Sequence, residues 1–123
     1  MKPIATLLLW LALCDPALAQ SAPTIRDLHL GCEAWHRVMV LPDKTTYTQQ
    51  LVDDITNGGH AVGYIAGWVD AMNYENSPIT AKSPQTVGET VDAVCKYIDL
   101  HPELWSKERG RGLVIVLTAL YGK

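Results

Sequence analysis

Apolar residues recur at spacings of three and four along most of the chain, a period that predicts helices rather than strands. Ile25, Leu28, Cys32, Trp35 and Met39 form one such stripe. A helix is therefore expected from about Thr24, whose hydroxyl can cap it, to Met39. Pro42 closes this segment, because a residue that precedes proline is pushed out of the helical region. Leu51, Val52 and Ile55 mark a short second helix over 46–55, ended by the breaker Asn57-Gly58-Gly59. His60 to Tyr74 carries Ala61, Val62, Tyr64, Ile65, Trp68, Val69 and Met72 and one charge, Asp70, so it reads as the most buried helix. Gly63 and Gly67 lie four apart and share a face. Each costs a helix about 1 kcal/mol relative to alanine. The pair points to another helix backbone approaching closely, with plain tolerance of glycine as the alternative.

The stretch 75–85 is polar, holds two prolines and is the longest irregular segment after residue 20. Exposed loops of this kind are where binding function concentrates, although an ordinary connector has the same composition. Thr86-Val87-Gly88-Glu89 then has the form of a capping box, and Val87, Val91, Val94 and Ile98 line one face of the helix it starts, to about Leu100. His101-Pro102-Glu103 interrupts. Lys107 to Tyr121 follows, and its β-branched run Val114-Ile115-Val116 would also suit a strand, but the chain offers no second strand to pair with it. The expectation is one all-α domain, a bundle of four to five helices.

The N-terminus changes the picture of compartment. Lys2, the ten-residue apolar run Ile4 to Leu13, and Ala17-Leu18-Ala19 follow one another in the order of a secretory signal peptide. Residues 1–19 are thus expected to be cleaved, leaving a 20–123 domain outside the cytoplasm; an uncleaved anchor and a lipid-modified Cys14 fit less well, since Leu13 is bulky for a lipidation site. No later segment approaches the ~20 apolar residues of a membrane helix. Cleavage removes Cys14 and leaves Cys32 and Cys95. In an oxidising compartment these point to one disulfide, worth about 4 kcal/mol in the chain-entropy model, with two buried free thiols as the alternative. The net charge is −3, and no basic patch with interleaved aromatics is present, so nucleic acid is not expected as a partner.

The chain has no nucleophile elbow, phosphate-binding loop, dinucleotide fingerprint or two-histidine zinc helix, and an enzyme is not expected. The one constellation with chemistry in it is His29, Cys32 and His36, whose offsets place them on one helix face. A thiolate with two imidazoles is a zinc or copper ligand set, and a Cys–His pair is a nucleophile and base. Against this, Cys32 lies on the apolar stripe, where a half-cystine belongs. Asp53, Asp54, Asp92 and Asp99 read as solvated surface, His101 as a helix-end residue, and Trp35, Trp68 and Trp105 as core. No cofactor is expected.

Three stretches carry a resemblance. Gly63-Tyr64-Ile65-Ala66-Gly67-Trp68-Val69-Asp70-Ala71 resembles a "GYIxGxxDA" helix. Thr86 to Ile98 with His101-Pro102-Glu103 resembles "TxGQxxDVVxKYLxxHPE", and Leu113 to Tyr121 resembles a closing "LVxxAL" helix. Together they are similar to the Tai, or Rap-type, amidase immunity proteins of type VI secretion. The resemblance implies a small periplasmic all-α protein, often a homodimer, that binds a peptidoglycan amidase effector and blocks its cleft. It implies a partner-binding loop at 75–85, with Glu75, Asn76 and Ser77 foremost. The chain departs from the family in its cysteines: it has His60-Ala61-Val62 where many members place a cysteine, and Cys95 stands where an apolar residue is usual. A Cys32–Cys95 disulfide is therefore not carried over from the family. The alternative function is a periplasmic metal or small-ligand binder using His29, Cys32 and His36.

Overall fold

The computed structural model describes residues 22–42, 46–74 and 86–122. The expected signal segment 1–19 and the 75–85 loop, with Glu75, Asn76 and Ser77, lie outside them. The described residues form four α-helices, α1 (Ile25–Met39), α2 (Gln49–Tyr74), α3 (Val87–Leu100) and α4 (Arg109–Tyr121), with a 3-10 turn at Pro102–Leu104 between the last two. Among the described residues there is no strand; a backbone bridge joins Thr24 and Glu108. The all-α expectation holds, and none of these helices is long and apolar enough to cross a membrane.

The helix starts follow from local chemistry. Thr86 Oγ1 accepts from the Glu89 N–H at 3.2 Å, and Glu89 returns its carboxylate to the Thr86 N–H at 2.8 Å, completing the predicted capping box. At α1 the Asp27 carboxylate accepts the Thr24 N–H at 2.7 Å. Further N–H groups of α1 are met by distant main chain: Ile25 N–H donates to Lys107 O at 2.9 Å and Arg26 N–H to Trp105 O at 3.0 Å. Helix starts leave such donors orphaned, so these bonds fasten the entry of α1 to the turn before α4. Glu108 caps α4, accepting from Gly110 N–H at 2.9 Å and Arg111 N–H at 3.0 Å. Those N–H groups hold its carboxyl below the usual range, that of Arg111 foremost.

The core gathers Ile25, Leu28 and Cys32 of α1, Ala61 and Ile65 of α2, Val91, Val94, Cys95 and Ile98 of α3, and Leu113, Val116, Leu117 and Tyr121 of α4, closed by Leu104. The α1 stripe turns inward only in its first half: Trp35 is half-buried and Met39 is 62% exposed. Val87 is exposed rather than on the core face of α3. Trp68 and Trp105 pack against the rim of the core rather than inside it.

Three expectations for α2 are overturned. Asn57-Gly58-Gly59 does not break the chain; one helix runs from Gln49 to Tyr74, so the expected second and third helices are one. The reason is tertiary. Gly58 faces α1 so closely that a Cβ there would lie 2.9 Å from both the Cα and N of Trp35. Gly31 of α1 is equally tight, a Cβ meeting Ala61 Cβ at 2.6 Å and Asn57 O at 3.0 Å. The close helix approach predicted at Gly63 and Gly67 is therefore found at Gly31 and Gly58 instead, and a Cβ at Gly63 or Gly67 would meet none of the described residues within 4 Å. Nor is the 60–74 stretch the most buried helix: Ala61 and Ile65 are buried there, while Val62, Tyr64, Trp68, Val69 and Met72 are half-buried.

Candidate functional site

The sulfurs of Cys32 and Cys95 are bonded, with Cα atoms 5.6 Å apart, and join α1 to α3. Each cysteine sits in a repeat of three, four and seven: His29, Cys32, Glu33 and His36 on α1, and Asp92, Cys95, Lys96 and Asp99 on α3. Helix geometry puts each quartet on one face. The disulfide turns the two faces toward each other, and they line one groove of about 350 Å³. The helices run in opposite directions across it, so His29 faces Asp99 and His36 faces Asp92. His29 Nδ1 lies 3.9 Å from Asp99 Oδ1, and His36 Nε2 lies 3.9 Å from Asp92 Oδ1.

The two histidines differ in surroundings. His36 is exposed, whereas His29 is only 6% exposed. The His29 ring stacks on Trp105 at 4.3 Å between centroids, and the Trp105 indole N–H donates to Ile98 O at 2.9 Å. His29 Nε2 approaches Glu33 Oε1 at 3.4 Å, while Nδ1 is buried with no hydrogen-bond partner. Asp92 and Asp99 are open to solvent.

The predicted trio His29, Cys32 and His36 is thus brought to one groove, but it is not a metal-binding or nucleophilic set. The Cys32 sulfur is bonded to Cys95, so no thiolate remains to ligate or attack. Among the described residues no three His, Cys, Asp or Glu side chains are placed to hold a metal ion. The groove's chemistry is electrostatic: three carboxylates, of Glu33, Asp92 and Asp99, face one ammonium, that of Lys96.

A second polar cluster lies between α1 and α2. Asp54, read from the sequence as solvated, is 6% exposed. It accepts a two-pronged hydrogen bond from Arg37, Nε to Oδ2 at 3.0 Å and the terminal nitrogen to Oδ1 at 2.8 Å, with Gln50 Nε2 adding a third at 2.9 Å. The Arg37 hydrogen bond holds the Asp54 carboxyl below its ordinary range and raises Arg37 in turn. Nothing in the sequence marks this pair, because its members lie on different helices. Arg109 stands over the Tyr64 ring at 3.8 Å, and His101, the C-cap of α3, stacks on Tyr97 at 3.9 Å with Nδ1 2.8 Å from the Tyr97 carbonyl.

An apolar surface surrounds the α1–α2 turn. Val40 and Leu41 share a shallow groove with Leu51, while Met39, Tyr47, Val52 and Ile55 are also exposed. No family model matches the chain, nor does any curated protein or solved structure.

Proposed function

We propose that the protein is a periplasmic immunity protein that binds a secreted peptidoglycan amidase and blocks its cleft. The observation that carries this reading is the Cys32–Cys95 disulfide, because such bonds persist in oxidising compartments outside the cytoplasm, where a wall-cutting amidase must be met. The signal-like segment 1–19 and the resemblance over Gly63 to Tyr121 support the same address and role. Val40 and Leu41, exposed and sharing one groove with Leu51, are available to a partner.

Inhibition by occlusion asks no chemistry of the protein. It asks for a rigid scaffold and a surface that outcompetes substrate. The disulfide and the capped helix starts supply the first; the 75–85 loop, with Glu75, Asn76 and Ser77, is assigned to the second. The test is to mix the 20–123 chain with the small cysteine–histidine hydrolase encoded beside its gene. A stoichiometric complex that no longer cleaves peptidoglycan is expected, weakened by Glu75→Lys. A gene neighbourhood without such a hydrolase, or a hydrolase that stays active in excess of the protein, sinks the reading.

A further inference from the structure

We propose that reduction of Cys32–Cys95 opens a zinc site whose ligands are the two freed thiolates, His36 and Asp92. The inference does not depend on what the protein's partner is. Both cysteines line the groove between α1 and α3, with Cα atoms 5.6 Å apart. A tetrahedral zinc bound to each sulfur at about 2.3 Å holds the two about 3.8 Å apart. Side-chain rotation supplies that opening once the bond is broken. The packing keeps the pair together, since both cysteines share the buried core with Leu28 of α1 and Val91, Val94 and Ile98 of α3. His36 lies four residues after Cys32, and Asp92 three before Cys95, so each stands beside its cysteine on one helix face. Across the groove His36 Nε2 is 3.9 Å from Asp92 Oδ1. Zinc holds a nitrogen and an oxygen ligand about 3.4 Å apart. Both side chains are exposed and free to close the difference.

In the oxidised chain no three ligating side chains converge among the described residues. Breaking the S–S bond supplies two of the four. A dithiol reductant passes two electrons and two protons to that bond and is itself left as a disulfide. Zinc then displaces the two thiol protons to solvent, because the thiolate and not the thiol is the ligand. Sulfur and imidazole select zinc over magnesium or calcium, which take oxygen ligands. Two thiolates and a carboxylate leave a divalent ion with one negative charge in excess, and Lys96 lines the same groove to offset it. Bound zinc occupies both sulfurs and so holds the disulfide open against reoxidation.

The test reduces the 20–123 chain under nitrogen with a phosphine and titrates in cobalt(II) chloride, a coloured stand-in for zinc. One equivalent is expected to raise the visible bands of tetrahedral cobalt and a near-ultraviolet thiolate charge-transfer band, both bleached by zinc. The oxidised chain is expected to show neither. His36→Ala and Asp92→Asn are each expected to weaken cobalt binding at least about tenfold, the low end of what losing a mere supporting partner costs a metal site. Both side chains are exposed, so the variants keep the fold, and circular dichroism of their oxidised forms checks this. Helix in the reduced chain that persists, or that is lost and returns with cobalt, supports the site. Helix that is lost and stays lost overturns it. So do an absence of bands in the reduced chain and equal bands in the oxidised one. Affinity unchanged in either variant also overturns the proposal, leaving two thiols that take metal adventitiously.

Discussion

Gly58 of α2 lies against the backbone of Trp35 in α1, so near that a Cβ on Gly58 would sit 2.9 Å from both the Trp35 N and Cα. The neighbour is main chain, which cannot rotate aside. Gly58→Ala must therefore push the two helices apart and is expected to destabilise by roughly 1–3 kcal/mol, as overpacking does. Gly63→Ala is the contrast. A Cβ there meets none of the described residues within 4 Å, so the gain in helix propensity decides the sign, about 1 kcal/mol of stabilisation. Urea midpoints of the two variants check this, and equal effects would refute the close approach.

Reduction of Cys32–Cys95 frees a loop whose ends are 63 residues apart. The chain-entropy model gives a loss of about 4 kcal/mol. The oxidised chain is expected to unfold at markedly higher urea than the same chain in dithiothreitol. Coincident midpoints would show that helix packing alone holds α1 against α3.

Asp54 makes stability depend on acid. Its carboxyl is held below the ordinary range chiefly by the Arg37 hydrogen bond, so folding is favoured above the unfolded value of about 3.9. That contribution disappears as pH falls through the lower, folded value. The wild-type chain should therefore melt above Asp54→Asn at neutral pH, and the gap should close as pH drops below about 4. Glu108, shifted in the same direction, is common to both chains and cancels. A gap that stays constant into strong acid would remove Asp54 from the account.

Much of this fold was legible in local pattern. The three-and-four spacing of Ile25, Leu28 and Cys32, the Thr86–Glu89 box and the apolar run Leu113 to Leu117 depend on residues within a turn or two of each other. Their elements stand where the pattern put them. The same spacing brought His29, Cys32 and His36 to one face. What it missed was across the groove. Asp92, Cys95, Lys96 and Asp99 repeat the offsets of the α1 quartet, and that second quartet was visible in the chain as the one available signal.

The amino-acid sequence by itself determined an all-α chain, the starts of α1 and α3 and the two cysteines that the disulfide joins, because capping, periodicity and cysteine count are local or compositional. Only the tertiary structure decided that Gly58 is a contact rather than a break, that Asp54 is buried on Arg37, and that His29 faces Asp99. Each of these depends on which helix lies opposite. A glycine that loosens an isolated helix lets two packed helices come close, and the energy of that contact outweighs the local cost. A carboxylate that water would solvate is instead held by a guanidinium one helix away.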